Sequence, residues 1–140
     1  MAIPKSIRLE FVTPERAIAH EDVDEVELPG EEGFFAVLPG HAPLLAALKT
    51  GPCWYRKGTE KHMAFLSGGF AEVTADRVSV LATTAERAED IDVARAEAAK
   101  RRAEDRLNKP ASDMDMERAR ISLLRAIARL DIAKHNRPRR

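Results

Sequence analysis

The sequence predicts an α+β protein in two parts. An N-terminal antiparallel β-sandwich of about ten strands occupies residues 1–86, and a C-terminal antiparallel two-helix hairpin occupies residues 87–140. Three observations carry this expectation. Turn signals recur through the first half at "PG" (29–30), "PG" (39–40), "TGP" (50–52), "KGT" (57–59), "SGG" (67–69) and "TAD" (74–76), the spacing of an all-β domain. Between the turns, apolar and polar residues alternate with the period of a strand. From Asp90 the period becomes helical, and Ala, Arg, Glu and Leu replace the runs broken by Gly and Pro.

Each strand region is marked by the alternation. Ile7, Leu9 and Phe11 take one face while Arg8 and Glu10 take the other. Val26 and Leu28 alternate with Glu25 and Glu27, and Val78 and Val80 with Arg77 and Ser79. The segment "GFFAVLPGHAPLLAALKTG" (33–51) is almost wholly apolar, and its two prolines keep it from joining a central ladder freely. A tight corner is expected at Leu38–Pro39–Gly40–His41, with "PLLAALK" leaving it as a further strand. This surface either fills the core or, where it stays outside, forms an interface.

In the second half, Ala96, Ala99, Ala103 and Leu107 define one helical stripe, with Asp90 and Asp92 at its start by capping or by the helix dipole. Lys109 before Pro110 ends that helix. Ser112 with Asp115 forms a capping box for a second helix reaching about Lys134. Its apolar positions are Met116, Ala119, Leu123, Ile127 and Leu130, widened by Ile121, Leu124 and Ala128. The expected contact is Ala-rich on the first helix and Leu/Ile-rich on the second, with a frayed basic tail over residues 135–140.

Composition narrows the class. Hydrophobic residues at 44% and charged residues at 33% fit a soluble folded protein. The longest apolar run, "APLLAAL", is far short of the ~20 residues of a membrane span. The N-terminus lacks a signal-peptide h-region, so no export is expected, and the single Cys53 fits a reducing compartment. The zero net charge is split: residues 1–85 hold 8 Lys/Arg against 12 Asp/Glu, and residues 86–140 hold 15 against 11.

No catalytic constellation is visible. His20, His41, His62 and His135 have no metal-ligand spacing among themselves or with Cys53, and no phosphate-loop, nucleophile-elbow or dinucleotide motif occurs. "SGGF" is too short for a phosphate cradle and reads as a turn between strands. His41 as an acid/base has no second catalytic group, and a turn histidine bonded to backbone accounts for it. What remains is arginine geometry. On a helix of about 100° per residue, Arg118, Arg125 and Arg129 fall within about 20° of one line. Arg95 and Arg102 fall together on the first helix, with Asp92 nearby. If these faces converge they suit a polyanion, because the guanidinium fork matches phosphate; the alternative is a solvated charged face. A basic hairpin on a stand-alone interaction module could also bind nucleic acid, but the excess of four charges is small and no aromatic interleaves it.

"VTPE" (12–15), "GFFAVLPGHAPLLAALKTG" (33–51), "SGGFAEV" (67–73) and "VSVLATTAE" (78–86), in this order and at these intervals, resemble the epsilon subunit of bacterial F-type ATP synthases. The resemblance implies a non-catalytic rotor subunit of a proton-translocating synthase. The sandwich would grip the gamma subunit and sit on the ring of c subunits, with Leu38, Pro39, His41, Pro43 and Leu44 as candidate contacts. The hairpin would restrain ATP hydrolysis when extended along gamma into the alpha/beta catalytic head. There Arg118, Arg125, Arg129 and the Arg137–Arg140 tail would meet an acidic segment of the beta subunit. "IDVARA" (91–96) resembles the family's ATP-binding motif. It implies Asp92 and Arg95 as acid and base, with Arg102, upstream Glu86, and Arg125 and Arg129 of "RAIAR" as further contacts. No cofactor is implied as required, and ATP enters as a regulatory ligand. The implied location is peripheral, on the cytoplasmic face of the bacterial inner membrane, with no expected nucleic-acid partner.

Overall fold

A computed structural model of the chain describes residues 2–109 and 112–135. Its contacts divide it into two compact units, with the division between Arg87 and Ala88. The first contains β1 (Ile7–Val12), β2 (Ala17–Val23), β3 (Glu25–Gly30), β4 (Gly33–Val37), β5 (Leu44–Leu48), β6 (Gly51–Lys57), β7 (Glu60–Val73) and β8 (Arg77–Arg87). The second contains a 3₁₀ turn (Ala88–Asp90), α1 (Val93–Asn108) and α2 (Asp113–His135).

The strands form one hydrogen-bonded path, β2-β1-β8-β7-β5-β3-β4, with β6 bridging β3 and β7. β7 shows how that path becomes a sandwich. Its first half pairs with β6, Gly51 facing Leu66 through Lys57 facing Glu60. Its second half pairs with β5, Leu44 facing Val73 through Leu48 facing Gly69. A long strand that changes partner midway carries the chain from one layer to the other. Ile7, Leu9 and Phe11 from β1, Val26 and Leu28 from β3, and Val78 and Val80 from β8 all lie in the core. These are the positions marked by period-two alternation.

The described residues hold eight strands rather than about ten, and "SGG" is not a turn. Gly68 (φ +74) and Gly69 (φ +128) bend β7 without ending it. The register with β8 continues across them, from Ser67 facing Thr84 to Gly69 facing Ala82. Two segments that read as separate strands are therefore one. Likewise Pro29 and Gly30 belong to β3, and the reversal falls at Glu31–Glu32, between Gly30 and the facing Gly33. Cys53 is buried, and burial pushes its thiol up to about 12, which leaves it protonated and unreactive near neutrality.

In the helical unit the caps are as expected. Asp92 is the N-cap of α1, its Oδ1 accepting from the Arg95 N–H at 3.0 Å. Lys109 ends α1, its N–H donating to Asp105 at 3.2 Å. Ser112 Oγ accepts from the Asp115 N–H at 3.1 Å ahead of α2. His135 belongs to α2 rather than to a frayed tail, with Nδ1 donating to the Asp131 carbonyl at 2.8 Å. Residues 136–140 lie outside the described residues.

The helix contact differs from the expected one. The buried residues are Ala96 and Ala103 on α1, and Ala119, Ala126 and Ile132 on α2. Leu123 and Leu130 are half-buried, whereas Ile121, Leu124 and Ile127 are exposed at 42%, 57% and 44%. Alanine on both sides lets two helix backbones approach closely, and larger side chains are then left at the margins or outside.

Candidate functional site

Two surfaces bear on function, one in each unit. In the helical unit the buried alanines fix which way each helix points. On α1, Arg95 and Arg102 lie about 90–110° to one side of the line through Ala96 and Ala103. On α2, Arg118, Arg125 and Arg129 lie about 70–110° from the line through Ala119 and Ala126, in the same rotational sense as Arg95 and Arg102 when each helix is viewed from its own N-terminus. Because the helices run antiparallel and face each other through these alanines, the same sense on each falls on the same side of the pair. The five arginines therefore share one broad face of the hairpin. The other face holds a shallow groove of about 240 Å³ lined by Val93, Glu97, Leu130, Ala133 and Lys134.

Arg95, Arg102, Arg118 and Arg125 are exposed on that face, and Arg129 is half-buried. Arg106, one turn beyond Arg102, joins them and was missed by sequence reasoning; its spacing of four from Arg102 was the available signal. Asp92 stands at the start of the row, with one carboxylate oxygen already used as the cap. Glu86 belongs to the other unit. It is half-buried on β8 and lines a polar groove of about 370 Å³ with Thr13, Glu15, Arg16, Thr83 and Thr84.

On the sandwich, the corner at Leu38–His41 forms as expected. Gly40 has φ +86 and donates to the Ala75 carbonyl at 2.7 Å, and the His41 N–H donates to Leu38 at 3.1 Å. The His41 ring lies 2.6 Å from the Ala42 carbonyl through Nδ1, so Nδ1 carries the proton and donates. That bond accounts for His41 as a structural turn residue. The apolar segment divides between its two readings: Val37 and Leu48 are buried, while Leu38, Pro43 and Leu44 are exposed and Pro39 and His41 half-buried. Sequence reasoning missed the residues that adjoin it. Across β5, β7 and β8, Ala47 faces Phe70 and Phe70 faces Leu81, and Phe70 and Leu81 are 57% and 59% exposed. Phe34 and Leu45 are exposed as well, beside a groove of about 460 Å³ that Glu31 and Glu32 also line. Exposed apolar side chains grouped in this way are available to a partner.

Among the described residues no group of three or more His, Cys, Asp or Glu side chains is placed to hold a metal ion, and no helix is long and apolar enough to cross a membrane.

Residues 6–88 match the family model described as ATP synthase, Delta/Epsilon chain, beta-sandwich domain, and residues 89–134 match ATP synthase, Delta/Epsilon chain, long alpha-helix domain. The chain belongs to the ATP synthase delta/epsilon family. Within that family it is 50% identical over 128 residues to the ATP synthase epsilon chain of Nitratidesulfovibrio vulgaris strain DP4, covering 91% of this chain and 96% of that one. It is 48% identical over 130 residues to the epsilon chain of Desulforamulus reducens, covering 93% and 98%. Among solved structures it resembles a chain of the Euglena gracilis mitochondrial ATP synthase (OSCP/F1/c-ring), with TM-score 0.84, 26% identity, and coverage of 96% of this chain and 85% of that one. A Tetrahymena thermophila mitochondrial ATP synthase central stalk/c-ring chain shares the fold, with TM-score 0.58 at 14% identity.

Proposed function

We propose that the chain is the non-catalytic central-stalk subunit of an F-type, proton-translocating ATP synthase, held at the cytoplasmic face of a bacterial inner membrane through the complex and not inserted. The observation that carries this reading is the family match running through both units with nothing of substance left over. It also displaces the nucleic-acid alternative, which had only a modest basic excess behind it. The sandwich contacts gamma and the c-ring through Leu38, Pro39, His41, Pro43 and Leu44, and the exposed Phe34, Leu45, Phe70 and Leu81 extend that surface. The test is purification from native membranes through a tag on this chain. Gamma, the catalytic head and the c-ring are expected to accompany it; recovery of the chain alone from intact complexes sinks the assignment.

The helical unit is the regulatory part, and ATP is its proposed ligand. The arginine face supports this, since Arg95, Arg102, Arg125 and Arg129 present forked donors on one side with Asp92 beside them, and Glu86 is the proposed contribution from the sandwich. Titration of the full chain with ATP is expected to show saturable binding that Arg125→Ala weakens by about tenfold, the loss of one charge-assisted contact. Asp92 separates cap from contact. Asp92→Asn keeps a capping oxygen and removes the charge. If Asn binds ATP as wild type does, Asp92 is a cap alone. No binding at millimolar ATP removes the nucleotide site altogether.

A further inference from the structure

Arg87 is the last residue of β8 and stands where the two units divide. Beyond Leu81 the strand has parted from β1: their parallel ladder ends at Val12 facing Leu81, while pairing with β7 continues to Ala64 facing Arg87. Among the described residues, one edge of residues 82–87 therefore has no strand laddered to it. Nearby, β2 carries a bulge. Phe11 faces Ala19 and Val12 faces Ala17, so Ile18 is the extra residue. The bulge explains why neighbouring Ile18 and Ala19 are both buried, at 2% and 6%. It also leaves Ile18 without a place in the β1–β2 ladder. Arg87 Nε donates to the Ile18 carbonyl at 2.8 Å, across 69 residues of sequence. A side chain thus ties the end of β8 to the bulge of β2, at the final residue of the sandwich.

We propose that Arg87 is a positioning clamp. It ends the sandwich at a fixed point and confines any reorientation of the helical unit to the chain beyond Arg87. Past Arg87 the Ile91 N–H donates to the Ala88 carbonyl at 3.3 Å across the 3₁₀ turn, which buries Ala88 and packs on α2, and Asp92 then caps α1. Without the clamp, the open edge frays back towards Ala85 and the pivot spreads into the strand. A longer, looser pivot imposes less direction on the helices. The regulatory consequence rests on the proposed function of the helical unit; the clamp itself does not.

The test compares Arg87→Met, which keeps the length and loses the donor, with Arg87→Lys, which keeps a donor. Amide hydrogen exchange on the full chain is expected to accelerate about tenfold over residues 84–91 in the Met variant, and to stay near wild type in the Lys variant, with β1 unchanged in both. Equal acceleration throughout the sandwich, or none at 84–91, overturns the clamp. In the assembled complex the Met variant is expected to alter inhibition of ATP hydrolysis and the Lys variant to restore it. Unchanged inhibition in the Met variant, where deletion of residues 88–140 relieves it, overturns the directing role and leaves the regulatory reading standing. No effect from either change removes the regulatory reading and the directing role with it.

Discussion

Deleting residues 88–140 is expected to raise ATP hydrolysis by the assembled complex several-fold while leaving assembly intact. The cut falls where the two units divide, so the sandwich keeps all eight strands and its core. The physical basis lies in how little holds the helices to each other. Ala96, Ala103, Ala119 and Ala126 meet through methyl groups, and a buried carbon of this size contributes only about 0.8 kcal/mol. The larger Ile121, Leu124 and Ile127 remain outside, available to a second partner. Helices held to each other this shallowly can part or repack at low cost, which the proposed switch would use. Ligand energetics set the limit: a full swing from 1:99 to 99:1 needs about 5.5 kcal/mol, whereas ATP at a hundred times its Kd supplies about 2.7 kcal/mol. As the proposed ligand, ATP would therefore bias the helices without commanding them. Inhibition by the intact chain should weaken as salt rises, since the proposed contacts of Arg118, Arg125 and Arg129 with an acidic partner would act through screened charge. Hydrolysis indifferent to the deletion removes the switch and leaves a scaffold.

Legibility depended on the physics of each signal. β1 could be read because Ile7, Leu9 and Phe11 repeat at period two, and only one face of a strand at this position is buried. The ends of α1 could be read because a cap is local chemistry: Asp92 needs only the Arg95 N–H three residues on. The contact between the helices could not. The expected stripe of Met116, Ala119, Leu123, Ile127 and Leu130 does include buried Ala119, yet close backbone approach adds Ala126 and leaves Ile127 exposed with the flanking Ile121 and Leu124. The interface was half legible. Leu38 and Leu44 belong to a conspicuously apolar segment, whereas Phe70 and Leu81 become neighbours only through the β7–β8 register. The arginine face was legible as angles along each helix. That both rows share a side depends on which residues turn inward.

The largest effect of a single substitution on stability is expected at Gly69. A Cβ there would lie 2.1 Å from the Leu81 carbonyl oxygen and 2.8 Å from the Ala82 Cα, and the φ of +128 is one that side chains rarely adopt. Both obstacles are backbone of β8, which is held by β1 and β7 together around Val80 and Leu81 and has little room to move. Gly69→Ala should accordingly cost more than about 4 kcal/mol, a large share of a domain's stability. Gly68→Ala is the control. It shares the left-handed region at φ +74, but its nearest neighbour is the Thr83 hydroxyl at 3.4 Å, so only a backbone cost of about 1–2 kcal/mol is expected. Urea denaturation of the two variants measures the difference, and similar midpoints would mean that β7 and β8 are not in close approach at the bend. The bend has a functional side as well. It turns the strand between buried Ser67 and exposed Phe70, and so sets Phe70 beside Leu81 on the outer face. A variant that keeps enough stability to fold but loses the bend should release gamma before it loses the core, because the proposed contact surface is built on the residue next after Gly69.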